Sequence, residues 1–99
     1  MKVTELQPGH YYACYDTWKD EVDTSTVHII KYGDAEKTEY GGYNVYGEIT
    51  TCCLTELSRG YRRIMVHSAT YFKEITEEQY SEILNKYKAL YSATKKLME

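Results

Sequence analysis

Apolar and polar residues alternate along much of the first 75 residues, and this two-residue period is typical of β-strands. The pattern predicts four strand segments, at residues 10–18, 26–32, 43–54 and 61–75. The third segment is the clearest, because Tyr43, Val45 and Ile49 share one face. The first segment carries aromatic rings on both faces. Residues 1–6 form a weaker candidate for an edge strand, the polar stretch 33–42 predicts an exposed loop, and residues 58–60 predict a turn.

The C-terminal quarter of the chain has the three- and four-residue apolar spacing of an amphipathic helix. Residues 76–79 read T-E-E-Q, a capping box, and Ile75 and Tyr80 are placed to form the hydrophobic staple that accompanies it. An apolar stripe then continues through Ile83, Leu84, Tyr87, Leu90, Tyr91, Thr94, Leu97 and Met98. Glutamates lie near the start of the segment and lysines near its end, as the helix dipole favours. The pattern predicts one long helix.

Strands followed by a helix, with connections too short for crossover helices, predict an α+β domain with an antiparallel sheet. Because the strands are long and carry rings on both faces, we expect a small, strongly curved or barrel-like sheet of about four to five strands. The length of 99 residues predicts a single domain, with residues 1–75 forming the β-rich part and residues 76–98 the C-terminal helix. A helix of about 33 Å exceeds the sheet it can cover, so we also expect a homodimer through this helix.

The amino-acid composition of the chain limits the kinds of molecule that it is expected to bind and the compartment in which it is expected to act. The net charge of −3 argues against binding of duplex DNA through bulk electrostatics. No apolar run approaches the length needed to cross a bilayer. Three cysteines, an odd number, in a chain without a recognisable signal peptide predict thiols in the cytoplasm. Twelve tyrosines make the chain tyrosine-rich, and the tyrosine ring suits half-buried sheet positions as well as contact surfaces.

The residue pattern gives little support for a catalytic site or a metal-binding site. A thiolate nucleophile would need Cys14, Cys52 or Cys53 beside a histidine, but no glycine-flanked turn or helix start presents any of them. Zinc-ligand spacings and the common phosphate-loop, dinucleotide and nucleophile-elbow motifs do not occur. The acidic residues between positions 16 and 23 lack the glycine and terminal glutamate of a calcium loop. We therefore expect no catalytic residue, metal or cofactor, and a protein that is not an enzyme.

One stretch has the composition of a recognition site. In "SRGYRRI", Arg59, Arg62 and Arg63 surround Tyr61, and arginine and tyrosine are enriched at interface centres. Trp18 is a second candidate anchor. The same cluster could clamp phosphate and stack a base, or it could be a charged strand end that protects the sheet edge from aggregation. The candidate binding residues are thus Trp18, Arg59, Tyr61, Arg62 and Arg63.

In composition and layout the chain resembles the small accessory proteins of bacteriophages and other mobile elements, some of which inhibit host defence or replication proteins. The likeness lies in a short acidic chain with a tyrosine-rich sheet, "FKEITEEQY" and a long terminal helix. It implies stoichiometric binding of another protein, with no residue roles carried over. The alternative is a protein that sequesters a nucleotide or single-stranded nucleic acid by tyrosine stacking and arginine contacts.

Overall fold

The computed structural model describes residues 1–17, 21–53 and 57–98, and in the helix and the fourth strand some side chains are left out of the description. A 3-10 turn at Val3–Glu5 precedes the first strand. The strands are β1 (Tyr11–Asp16), β2 (Asp23–Lys37), β3 (Gly42–Cys52), β4 (Leu57–His67) and β5 (Lys73–Ile75), and the chain ends in helix α1 (Glu77–Met98). The predicted α+β class is confirmed.

The five strands form one sheet in the order β4-β3-β2-β1-β5, and every described pair is antiparallel. Strands β1 to β4 are sequential neighbours, whereas residues 68–72, which we call the crossing segment, carry the chain from β4 to the opposite edge. Because β4 and β5 form two separate edges, the sheet is open. The prediction of a strongly curved or barrel-like sheet is wrong: the sheet is neither closed nor strongly curled. The aromatic rings on the two faces of β1 instead belong to two separate cores, one on each face of the sheet.

The observed elements differ from the predicted pattern in four places. Residues 33–37, expected in a loop, continue β2 past a bulge between Tyr32 and Asp34. Residues 58–60, expected as a turn, lie inside β4. Residues 61–75, expected as one strand, divide into β4 and the short β5, while the expected N-terminal edge strand is the 3-10 turn. In each case pairing with a neighbouring strand, or its absence, overrides the local preference.

The first core lies on the helix-free face of the sheet, the face that carries Tyr12, Ile30 and Ile49. It is covered by the N-terminal segment through Val3 and Leu6, and by Phe72 just before β5. Phe72 is fully buried, and its backbone exchanges two 2.7 Å hydrogen bonds with Met1. The N-terminal segment and the crossing segment are therefore fastened together over this core.

The second core lies on the helix face, where Ile29 and Cys52 contact Ile75, Tyr80 and Leu84. The predicted capping box is confirmed: the Gln79 amide donates to Thr76 Oγ1 at 3.1 Å, and the Thr76 amide donates to Gln79 Oε1 at 2.9 Å. Tyr80 also packs against Tyr11, with ring centroids 5.0 Å apart. The first two turns of α1 thus cover the sheet. No helix in the described ranges combines the length and the apolarity that a membrane crossing requires.

Candidate functional site

A surface groove lies where the C-terminal ends of β1 and β4 approach each other. Its larger hollow, about 430 Å³, lies between the ends of β1 and the crossing segment and is lined by Tyr15, Val22, His67 and Tyr71. A second hollow of about 230 Å³ shares Thr17 and His67 with the first and continues to Met65 and Tyr40. We call this continuous recess the aromatic groove, defined by Tyr15, Thr17, Val22, Tyr40, Met65, His67 and Tyr71.

The floor of the aromatic groove is held by a tight turn from His67 to Thr70. The Thr70 amide donates to the His67 carbonyl at 3.0 Å, and the His67 amide donates to Thr70 Oγ1 at 3.0 Å. The same Thr70 oxygen lies 3.1 Å from Thr17 Oγ1, which joins the crossing segment to the end of β1. Thr70 is only 4% exposed. Because these bonds tie the floor to two elements, the groove is preformed rather than dependent on a ligand for its shape.

The walls of the groove are apolar and open to solvent. Seven large apolar side chains are strongly exposed in the described part of the chain, and five of them line the groove: Tyr15, Val22, Tyr40, Met65 and Tyr71. Tyr71 is 71% exposed and Tyr40 is 94% exposed. Single exposed apolar residues are ordinary, but a contiguous set along one recess is characteristic of a binding surface.

One end of the groove is acidic. Val22 also borders a further hollow whose other lining residues are Asp16, Glu21 and Asp23. The carboxylate of Asp23 accepts bonds from the Ser25 hydroxyl, the Ser25 amide and the Thr26 hydroxyl, and these bonds lower the pKa of Asp23. The charge at this end is therefore retained near neutral pH. A separate hollow that shares Tyr15 and Tyr71 with the groove is also lined by the cation Lys73.

The structure does not bring the predicted arginine cluster together. Arg59, Tyr61 and Arg63 share the helix face of β4, while Arg62 alternates to the helix-free face. Arg59 Nη2 lies 3.5 Å from Glu48 Oε1, and Arg62 donates to Ser58 Oγ at 2.6 Å and to Thr51 Oγ1. All four belong to an edge strand, where charged side chains also discourage pairing between sheets. Trp18 lies outside the described residues. The binding role of these five residues stays a prediction.

Sequence patterns missed a polar network on the helix-free face. Half-buried Arg62 donates to Thr51 Oγ1, and this hydroxyl lies 2.9 Å from Nδ1 of the buried His28. His28 Nε2 lies 3.7 Å from Asp16 Oδ1, too far for a hydrogen bond but close enough for charge interaction. Since the Thr51 oxygen accepts from Arg62, its proton is available to an unprotonated Nδ1. The contacts therefore favour neutral His28 with its proton on Nε2, facing Asp16.

Burial lowers the pKa of His28, and the positive charge of Arg62 adds to this effect, while Asp16 opposes it. Enzymes that use a hydroxyl nucleophile also place a carboxylate, an imidazole and a hydroxyl group in this order. Here, however, Thr51 lies within β3 and is paired with β2 and with β4, and neither hollow of the aromatic groove is lined by Thr51 or His28. We interpret the network as a structural link across four strands, β1 to β4.

None of the three cysteines lines either hollow of the aromatic groove. Burial raises the pKa of Cys14 to about 12 and that of Cys52 to about 11, so both are protonated and poorly nucleophilic near neutral pH. Cys14 and Cys52 contribute to opposite cores, and Cys53 is half-buried just after β3. Within the described ranges, no three His, Cys, Asp or Glu side chains converge as a metal site would require.

The His28 network predicts a loss of stability in mild acid. The folded-state pKa of His28 lies below its ordinary value of about 6.5, so the unfolded chain binds the proton first as the pH falls. The free energy of unfolding should therefore be highest above pH 7 and decrease below about pH 6.5, before most carboxylates titrate. Urea denaturation between pH 8 and pH 5 measures this decrease.

The variant His28→Gln should flatten the decrease between pH 7 and pH 5, whereas His10→Gln should retain it. His10 is the matched control because its side chain is exposed and contacts Glu74, on the outside of the domain. An equally steep decrease in His28→Gln would contradict the assignment of the effect to this network.

No family model matches the chain, and neither a curated protein nor a solved structure matches it.

Proposed function

We propose that the protein acts by stoichiometric binding of another protein, and that the aromatic groove receives an apolar segment of that partner. The observation that carries the proposal is the concentration of exposed apolar side chains along this one recess, five of the seven in the described part of the chain. Tyrosine and methionine are enriched at interface centres. The rigid tyrosine ring supplies a large contact area at modest entropic cost. An accessory or inhibitor protein would act in this way, by occupying a surface of its target.

Charge indicates what flanks the apolar segment of the partner. The end of the groove beside Val22 carries Asp16, Glu21 and Asp23, so lysine or arginine on that side of the segment would be attracted. Acidic residues there would be repelled. The proposed ligand is therefore an apolar or aromatic segment that has basic residues on one side.

The alternative, binding of a nucleotide or single-stranded nucleic acid, stays a prediction. The guanidinium groups of Arg59 and Arg63 lie on one face of β4 and that of Arg62 on the other, so they do not form a single phosphate clamp. Steep salt dependence in the binding of a fluorescent nucleotide would support this alternative.

Selection from a random peptide display library tests the protein-binding proposal without a known partner. We expect the enriched peptides to contain two or more large apolar residues with Lys or Arg on one side. The substitution Tyr71→Asp should weaken a selected peptide about tenfold or more, since it places a charge on the groove wall. Val22→Asp, at a side chain that is 61% exposed, should act in the same direction without disturbing the core.

Tyr61→Asp is the matched control, because Tyr61 is 74% exposed but lies on β4 outside the groove. Binding that survives Tyr71→Asp and is lost in Tyr61→Asp would move the site to the predicted arginine cluster and overturn the groove proposal. Acidic consensus peptides would overturn the proposed ligand chemistry.

A further inference from the structure

The second half of α1 has the chemistry proposed for the groove's ligand. Residues 83–98 contain four lysines and no aspartate or glutamate. Lys86, Lys88 and Lys96 are exposed, and Leu97 is 88% exposed. In the sequence, the apolar stripe that begins at Tyr80 continues to Leu97 at helical spacing. This half of α1 is thus rich in lysine and carries an exposed apolar side chain, Leu97, near its end.

The helix extends away from the groove of its own chain. It starts above β1, where Tyr80 packs against Tyr11, and it also contacts β3 and β4, so its later turns lie toward the β4 edge. Tyr15 and Tyr71, which line the larger hollow, lie near the opposite edge of the sheet, formed by β5. Met65 and His67, which also line the groove, lie at the C-terminal end of β4. Cys52, which belongs to the core under the helix, pairs with Leu57 at the other end of that strand. The 14 residues beyond Leu84 span about 21 Å as a helix, leading away from that hollow. The end of α1 is therefore placed to reach such a groove on another molecule.

We propose that the aromatic groove is occupied by the C-terminal half of α1 from a second copy of this chain, in a reciprocal homodimer. The inference rests on the proposed function of the groove and names its occupant. Leu97 would lie against Tyr15 and Tyr71, with the exposed lysines toward the acidic end. Two identical contacts related by a two-fold axis close the assembly, so it does not grow into a filament. A different partner protein would have to compete with this self-association.

Sedimentation of the full chain at micromolar to millimolar concentration tests the dimer. We expect the wild type to form dimers that dissociate to 11.6 kDa monomers on dilution. Leu97→Asp and Tyr71→Asp should each raise the dissociation constant at least tenfold, because both side chains are exposed in the monomer and central in the proposed contact. Asn85→Asp adds the same charge at an exposed helix position near Leu84 and serves as the matched control.

Mixing the two variants tests the reciprocal geometry. A chain with Leu97→Asp keeps an intact groove, and a chain with Tyr71→Asp keeps an intact helix, so the mixture retains one complete contact per pair. We expect the mixture to associate more strongly than either variant alone. Likewise, Lys96→Glu should weaken the dimer, and adding Glu21→Lys at the acidic end should restore part of the loss.

Three results would overturn the inference in different ways. A wild type that remains monomeric at millimolar concentration, yet still binds the selected peptides, contradicts the homodimer and leaves the proposed function intact. A dimer that is insensitive to Tyr71→Asp but lost in Leu97→Asp places the contact between two helices and removes the groove from it. Loss of peptide binding in every groove variant while dimerisation persists also separates the two proposals.

Discussion

Replacing Leu84 by aspartate is expected to unfold or aggregate the protein. Leu84 is 6% exposed and belongs to the core formed with Ile29, Cys52 and Ile75. Truncation of a buried leucine costs about 2–5 kcal/mol, and a carboxylate without a partner at this position adds a desolvation cost. The total is a large share of the 5–15 kcal/mol by which a typical domain is stable. Thermal and urea denaturation followed by circular dichroism measure the loss.

Ser81→Asp is the matched control for this experiment. It introduces the same charge into the same helix, at an exposed position one turn earlier, and should change stability by no more than about 0.5 kcal/mol. A soluble Leu84→Asp protein with an unchanged melting temperature would show that the first turns of α1 do not seal the second core.

The start of α1 could be predicted because its signals are local. The capping box places donor and acceptor within three residues of each other, and both hydrogen bonds form between Thr76 and Gln79 as the sequence indicates. The apolar face of β3 was predicted for the same reason, since Val45 and Ile49 alternate with polar residues over a strand whose neighbours are hairpin partners.

The extension of β2 could not be predicted in this way. Residues 33–37 contain glycine and charged side chains, which locally favour a loop. In the fold they pair with β3, and Glu36 accepts hydrogen bonds from Tyr46 at 2.6 Å and from Asn44 at 3.2 Å. Hydrogen bonds between polar side chains thus stabilise a strand pairing that the apolar pattern does not indicate. A local pattern does not reveal them, because the partners of Glu36 are eight and ten residues away in the sequence.

The aromatic groove is even less predictable from local sequence patterns. Tyr15 belongs to β1, Val22 precedes β2, Met65 belongs to β4 and Tyr71 to the crossing segment. Alternation assigns each of these residues to a face of its own strand, and it cannot tell which strand ends meet. The usable sequence signal was the excess of rings in β1, more than a one-sided sheet can bury. The structure buries Tyr12 at 1% exposure and leaves Tyr15 at 49%.

A second large effect is expected for Gly47→Ala, at the closest approach of β2 and β3. Gly47 is buried and pairs with Tyr32, next to the β2 bulge. A methyl group there would overlap the Lys31 carbonyl oxygen and lie 3.1 Å from the Gly33 amide nitrogen. Both obstacles are backbone atoms, so no rotamer change can relieve them and the two strands would have to separate. Overpacking typically costs about 1–3 kcal/mol, and we expect at least the upper value here.

Gly41→Ala separates this steric effect from the general cost of losing a glycine. Gly41 has φ of +83° and no atom within 4 Å of an added methyl group, so its substitution adds only local backbone strain of about 1–2 kcal/mol. Urea denaturation should therefore rank the wild type above Gly41→Ala, and Gly41→Ala above Gly47→Ala. The reverse order of the two variants would contradict the close approach of β2 and β3. Since this approach joins the long middle strands of the sheet, the Gly47 variant should lose structure on both faces together.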